Sequence, residues 1–364
     1  MQFFCYFCCS KTPDVENQLK QNILKNFPFE PTASQNELLD RLSSFLQVGS
    51  GSDIFILKGF AGTGKTSVVG ALVRTFTSLK LPIVLAAPTG RAAKVLESYS
   101  GHQAYTIHKL IYRQKDSTAD SRFELGFNKL RYALFIVDEC SMIANSGDST
   151  FGSGCLLDDL LQYIFGGTQG CKLLMLGDTA QLPPVMQDES VALNSDFLRG
   201  YGFKVEEYFL TEVVRQNAIS GILRNATMLR NALEGNESVK FVTGDDVTRG
   251  DSSNFTECIE SSYRSVGEDE TLIITRSNNK AFMYADGIRN RILCREELLS
   301  NGDMLMIVKN NYAVPEGYGI DFIANGDLAR VVRQRKVIQM YGMEFAEVTL
   351  FFVDYDKEID LLLL

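Results

Sequence analysis

An apolar run, Ile54-Phe55-Ile56-Leu57, leads directly into Gly59-Phe60-Ala61-Gly62-Thr63-Gly64-Lys65-Thr66, and the stretch Ser67 to Phe76 that follows reads as helix. The octet has the spacing G-x-x-x-x-G-K-[ST], after a strand and before a helix, which is the setting in which that spacing has a physical meaning. Its glycines let successive backbone N–H groups face one anion, and the start of the helix adds the positive end of its dipole. By composition alone such an octet arises in on the order of one chain in a hundred of this length. The strand and helix around it argue against a mere glycine turn.

A loop of this kind demands a parallel sheet, and the flanking pattern supplies one. Ile83-Val84-Leu85-Ala86, Leu134-Phe135-Ile136-Val137 and Lys172-Leu173-Leu174-Met175-Leu176 read as further buried strands, with a helical stretch from Arg91 to Ser98 between the first two. Alternating strands and helices predict a doubly covered α/β domain. The chemistry follows the strands. Lys65 is placed to neutralise the β and γ phosphates of a nucleoside triphosphate, and the Thr66 hydroxyl to ligate Mg²⁺. Asp138 and Glu139 close the Leu134–Val137 strand; Asp138 suits the Mg²⁺ shell and Glu139 the attacking water. Alone, an Asp-Glu pair after a strand is usually a solvated turn. Gln181, in Leu176-Gly177-Asp178-Thr179-Ala180-Gln181-Leu182-Pro183-Pro184-Val185, is an amide at a strand end where the γ-phosphate can be sensed.

Length and composition bound the rest. A chain of 364 residues holds about two domains, and 45% hydrophobic with 22% charged residues is ordinary for a globular protein. The formal net charge of −9 excludes a broadly basic surface, so any nucleic-acid contact has to come from a local groove. No apolar run reaches the roughly 18 residues of a membrane helix, and the start of the chain lacks a secretory pattern, so a cytoplasmic protein is expected. Eight cysteines are too sparse for a disulfide scaffold. Cys5, Cys8 and Cys9 cluster, but a zinc site needs a fourth ligand that the sequence does not offer.

The organisation reads as a polar leader (1–27), a first α/β domain carrying the phosphate loop (28–206) with an insert at about 111–133, a second α/β domain (207–300), and a small β module (301–364). Thr32 and Ser34 are candidate caps for a helix carrying Leu38, Leu39, Leu42 and Phe45. Thr271-Leu272-Ile273-Ile274 is expected to begin a second parallel sheet after a polar linker, Thr243 to Asn254. Met304 to Val308, Leu328 to Val332 and Ala346 to Phe352 are expected as short strands of the β module.

Taken together these segments resemble the RecD/Dda branch of superfamily-one helicases. The match runs from Phe29 to about Val332. It rests on Gln35, Gly59 to Thr66, Ala87-Pro88-Thr89-Gly90-Arg91-Ala92-Ala93-Lys94, Thr106-Ile107-His108-Lys109-Leu110, Asp138-Glu139-Cys140-Ser141-Met142, Gly177 to Pro184, and Val214-Arg215-Gln216. The resemblance implies tandem RecA-like domains with an SH3-like module, ATP and Mg²⁺ as cofactors, and movement in the 5′ to 3′ direction on single-stranded DNA with unwinding of fork DNA. It implies a monomeric motor with roles in repair or recombination. By it, Gln35 contacts adenine and Gly59, Ala61, Gly62, Thr63, Gly64, Lys65 and Thr66 hold the phosphates. Lys65, Glu139, Gln181 and Arg215 are then catalytic, with Arg215 an arginine finger; a helix-face pairing of Arg215 with Glu212 is the plainer reading. Pro88, Thr89, Gly90, Lys94 and His108 become DNA contacts in the first domain, and Thr275, Arg276 and Asn278 in the second. The segment between Tyr112 and Arg131 falls where the family has a strand-splitting hairpin. Lys309-Asn310-Asn311-Tyr312 and Asn325-Gly326-Asp327 are similar to the entry of the SH3-like module.

Two closing motifs of the family, a histidine-lysine-glutamine-glycine stretch and an arginine-bearing one, do not occur before Leu364. The second domain is therefore expected to be incomplete, the apolar tail Ile359 to Leu364 to be exposed, and unwinding by these residues alone to be impaired. Two competing readings are a P-loop ATPase with another task and a DNA-binding fragment without turnover.

Overall fold

Aliphatic runs without polar alternation make strands buried on both faces, and these form the centre of the first unit. In the computed structural model the strands are β1 (Ile54–Gly59), β2 (Ile83–Ala87), β3 (Ala104–Thr106), β4 (Tyr112–Gln114), β5 (Phe123–Leu125), β6 (Leu134–Val137), β7 (Lys172–Gly177) and β8 (Val205–Leu210). Six of them form one sheet in the order β3-β2-β6-β7-β1-β8, every pair parallel. The structure describes the chain apart from residues 1–12, 48–52, 115–122, 145–150, 168–169, 185–186, 188, 213–219, 236–238, 309–310, 312–313, 315–316, 319, 321–322 and 324. The Cys5, Cys8 and Cys9 cluster and Arg215 lie outside the described residues.

Helices cover both faces of the sheet: α1 (Pro13–Lys25), α2 (Ala33–Phe45), α3 (Lys65–Ser78), α4 (Gly90–Ser100), α5 (Ile107–Ile111), α6 (Leu156–Phe165) and α7 (Ser195–Gly200). The period-two alternation of strand side chains sorts the core. Phe55 and Leu57 of β1 point into a cluster with Leu38, Leu42, Leu72 and Phe76. Ile54 and Ile56 point to the other face, with Phe135, Leu160 and Ile164. Thr32 caps α2 and forms a full capping box with Gln35, so of the two candidate caps it is Thr32 that serves.

The leader is more than a polar extension. Within it α1 puts Leu19 and Ile23 into the first cluster, and Ile23 is fully buried. Asn26 closes the join by donating to Thr75 Oγ1 at 3.1 Å, and Arg74 donates to the Asn26 carbonyl at 2.8 Å. A few apolar residues at helical spacing were hidden in a polar stretch. The insert is an antiparallel hairpin of β4 and β5, with Tyr112 opposite Leu125 and Gln114 opposite Phe123.

Contacts divide the chain into two compact units, Met1–Asn217 and Ala218–Leu364. The second holds α8 (Gly221–Gly235), α9 (Phe255–Ser265) and α10 (Asn278–Arg291), followed by β9 (Met304–Met306), β10 (Leu328–Met340), β11 (Met343–Phe352) and β12 (Lys357–Leu363). The last four make an antiparallel sheet in the order β12-β11-β10-β9 around Val331, Val348, Leu350, Phe352 and Ile359. The apolar tail is thus a strand: Ile359 pairs with Leu350 and is buried.

Two expectations for this unit fail. Thr271 to Ile274 forms no strand, and Leu272 and Ile274 are 83% and 87% exposed. An apolar run becomes a strand only when a neighbour takes its N–H and C=O groups, and among the described residues none lies alongside. The Thr243 to Asn254 stretch is not a free linker at its start. Asp246 caps α8, accepting from Ser220 Oγ, Gly221 N and Ile222 N, and Asn225 exchanges two hydrogen bonds with the backbone of Val242.

Asp303 ties α10 to the sheet. Its buried carboxylate accepts from Arg289 at 2.8 Å, Arg295 at 3.0 Å and Ser300 N at 2.8 Å. Burial pushes its pKa up, but Arg289, the Ser300 N–H and Arg295 outweigh that and hold it below the ordinary carboxylate range. A depressed folded pKa means stability that is present above the unfolded value of about 3.9 and is lost as pH falls through the folded value. Asp303→Asn is expected to cost about 1.5–3 kcal/mol near neutrality, with the gap to wild type closing below about pH 4, as read by urea melts across pH. Ile23→Ala is expected to cost about 2–5 kcal/mol in the same assay; a cost under 0.5 kcal/mol would show that α1 is not part of the core.

Candidate nucleotide site

In a parallel sheet the C-terminal strand edges point the same way, so neighbouring strands deliver their exit loops to one place. Here β6, β7 and β1 are adjacent, and they end at Asp138-Glu139, Asp178 to Gln181 and the Gly59–Thr66 loop. Residues more than a hundred positions apart meet through strand order alone.

The β1 loop is held by glycine chemistry. Gly62 and Gly64 have φ of +81° and +94°, where a Cβ is strained. A Cβ on Gly64 would also collide with the Gln35 amide, and one on Gly59 would lie 2.9 Å from Thr63 Oγ1. Gln35 is 4% exposed; its Nε2 donates to the Thr63 carbonyl at 3.0 Å while its Oε1 accepts from Thr32 N. Gln35 therefore braces the loop from α2. The Lys65 ammonium donates to the carbonyls of Gly59 and Phe60, and Thr66 sits in the first turn of α3.

Asp138 leaves β6 with both carboxylate oxygens engaged. Oδ1 accepts from Glu139 N at 2.8 Å, and Oδ2 accepts from the Tyr99 hydroxyl at 2.8 Å. Glu139 has φ of +53°, a left-handed conformation that costs a non-glycine residue about 1–2 kcal/mol. The turn after it is pinned by buried Ser190, whose single hydroxyl hydrogen is shared between the carbonyls of Cys140 and Ile143, each 2.8 Å from Oγ. Strain of this kind persists only where surrounding contacts impose it, and it aims the Glu139 side chain.

The electrostatics show which groups converge. Burial pushes the Glu139 carboxyl up; Asp138 and Asp178 push the same way, while Lys65 and a hydrogen bond from the Gln181 side chain oppose them. Burial, the Asp138 charge and their hydrogen bond drive the Tyr99 phenol far above its ordinary range. Asp178 is 4% exposed and accepts from Ala180 N at 2.9 Å, and its carbonyl accepts from Gln181 N, which sets the turn that presents Gln181. Asp178, Tyr99 and Ser190 had no assigned role in the sequence. Tyr99 lies 39 residues from Asp138 and carries no motif, so nothing local marks it.

The donor set suits a magnesium nucleotide. Among the described residues no three His, Cys, Asp or Glu side chains gather as a metal cage. One carboxylate and one hydroxyl beside a phosphate loop are the ligands Mg²⁺ takes when substrate phosphates and waters complete its octahedron.

The residues matched to DNA contacts lie in both units. Thr89 caps α4, accepting from Ala92 N at 3.2 Å, with Pro88 just before it, Gly90 buried and Lys94 a turn further on. His108 is in α5 and packs against Phe151 and Tyr112; burial lowers its pKa. In the second unit Thr275 Oγ1 donates to the Ser277 carbonyl, Arg276 is exposed, and Asn278 opens α10 behind the Ser277 cap.

A parallel sheet with this loop on β1 and an acidic exit on the next strand but one defines a P-loop nucleoside-triphosphate-binding domain. Residues 32–247 match the AAA-domain family. The chain belongs to that family, and the relatives it resembles include helicases of the RecD and Dda types. It is 27% identical over 325 residues to uncharacterized protein R530 of Acanthamoeba polyphaga mimivirus, covering 79% of this chain and 62% of the relative. It is 32% identical over 155 residues to the ATP-dependent RecD2 DNA helicase of Deinococcus radiodurans, covering 43% of this chain and 19% of that one. Against the ATP-dependent DNA helicase dda of Enterobacteria phage T4 it is 29% identical over 215 residues, covering 56% of this chain and 45% of the relative. The chain therefore spans less than two thirds of each of these proteins. Among the described residues no helix is long and apolar enough to cross a membrane.

Gly64→Ala combines a forbidden φ with a clash on Gln35. It is expected to weaken binding of a fluorescent ATP analogue at least tenfold, since about 1–2 kcal/mol of backbone strain alone accounts for most of that factor. Unchanged binding would mean that the loop reorganises to hold nucleotide in some other way.

Proposed function

We propose that this chain binds and hydrolyses Mg·ATP and uses the cycle to move 5′ to 3′ on single-stranded DNA, opening the duplex at forks. The observation that carries the ATPase part is the convergence of Lys65, Asp138, Glu139 and Gln181 at three adjacent strand ends, seen in the charges and the hydrogen bond that Glu139 feels. The DNA part is supported by the RecD2 and dda relatives, whose names state that they are ATP-dependent DNA helicases.

In this reading the loop N–H groups and Gln35 receive the nucleotide. Lys65 exchanges the Gly59 and Phe60 carbonyls for phosphate oxygens. Thr66 and Asp138 would hold Mg²⁺, which would supply neutralisation of the phosphate charge. Glu139, raised toward neutrality by burial and by Asp138, is the stronger base once ionised and takes a proton from the attacking water. Gln181, hydrogen-bonded to Glu139, orients that water and reads the γ-phosphate. Arg215 stabilises the charge on the transferring group. Pro88, Thr89, Gly90, Lys94 and His108 contact the strand in the first unit, and Thr275, Arg276 and Asn278 in the second. The β4–β5 hairpin serves as the wedge. We further propose the domain division given above, with the residues up to 206 as the ATPase core, and action as a monomer in repair or recombination.

The test is the ATPase rate with and without single-stranded DNA, for wild type and Lys65→Ala. Stimulation by DNA in wild type, and a loss of about a hundredfold in the variant, are expected. A rate indifferent to DNA would leave an ATPase with another task. Equal rates for the two proteins would leave a binding fragment without turnover.

A further inference from the structure

Tyr99 joins two parts of the first unit that have no contact in sequence. It lies in α4, the helix that starts at the Thr89 cap and carries Lys94, and its ring packs against the apolar cluster beneath the sheet. Its hydroxyl reaches the end of β6 and donates to Asp138 Oδ2 at 2.8 Å. The other oxygen of Asp138 is held by Glu139 N, also at 2.8 Å. A carboxylate gripped at both oxygens does not rotate, and each oxygen keeps a lone pair free for a further partner.

Given the nucleotide site proposed above, on which this inference rests, we propose that Tyr99 is a positioning residue. Its hydrogen bond fixes the Asp138 carboxylate for Mg²⁺ and ties that carboxylate to the helix capped by Thr89, a residue proposed above to contact the strand. The helix is one rigid rod, with Tyr99 about 14 Å along its axis from Gly90 at 1.5 Å per residue. A shift of α4 at its N-terminal turn therefore moves the Tyr99 hydroxyl and with it the Mg²⁺ ligand. Groups behind a metal ligand matter in this way: their loss typically costs 10–100-fold in metal affinity.

Tyr99→Phe keeps the packing ring and removes only the donor. Binding of a fluorescent ATP analogue is measured against Mg²⁺ concentration in wild type, Tyr99→Phe, Asp138→Asn and the double variant, with thermal melts of each. We expect Tyr99→Phe to bind the analogue in EDTA as wild type does, and to need roughly tenfold more Mg²⁺ for half-maximal enhancement. In the Asp138→Asn background the same change is expected to have no further effect on the Mg²⁺ response, because Tyr99 acts through that carboxylate. A single-stranded oligonucleotide should lower the Mg²⁺ midpoint of wild type and leave that of Tyr99→Phe in place. A Mg²⁺ midpoint for Tyr99→Phe within twofold of wild type overturns the proposal, as does an equal loss of binding in EDTA, the mark of a purely structural role. Wild type that gains nothing from Mg²⁺ overturns the nucleotide site and this inference together, whereas wild type that responds while Tyr99→Phe responds identically overturns this inference alone.

Discussion

Gly62 and Gly64 hold the loop after β1 in conformations that a side chain resists, a backbone arrangement of the kind that forms an anion-binding nest. Much of the first unit serves to keep the nest in that shape. The capping box of α2 places Gln35 against Thr63 and leaves no room for a Cβ on Gly64. Leu210, from the edge strand β8, closes in on Gly59 from the other side. The apolar cluster beneath, to which Ile23 of α1 belongs, anchors α2 and α3 relative to the sheet. A loop of eight residues thus depends on packing contributed by helices both before and after it.

Charge is arranged around the nest with equal economy. Among the described residues Glu139 feels the Lys65 cation together with the Asp138 and Asp178 charges, and burial makes these interactions count for more than they would at the surface. The strained turn at Glu139 and the Ser190 hydrogen bonds below it fix the direction in which the acidic pair faces. In the second unit charge has a different use. Asp303 with Arg289 and Arg295 is a buried structural anchor, and Asp246 a helix cap. Similar side chains do chemistry or architecture according to what surrounds them.

Much was legible along the chain. The strand, glycine loop and helix at 54–78, the acidic exit of β6 and the turn after β7 are local patterns whose meaning depends on neighbours a few residues away. The positive φ at Gly62 and Gly64, the Thr32 cap and three of the four strands of the C-terminal module follow from residue type and periodicity. The sequence by itself therefore determined the elements and the class of the first unit, because backbone preferences and apolar periodicity are short-range properties.

Tertiary structure alone decided which of these elements meet. That β6, β7 and β1 lie side by side, that Tyr99 reaches Asp138, and that Ile23 belongs to the core are consequences of strand order and packing across long stretches of chain. The same principle explains the failure at Thr271 to Ile274. Its aliphatic run has the composition of a buried strand, yet Leu272 and Ile274 stand exposed because a strand is defined by the neighbour that takes its hydrogen bonds, and no local pattern carries that neighbour's identity.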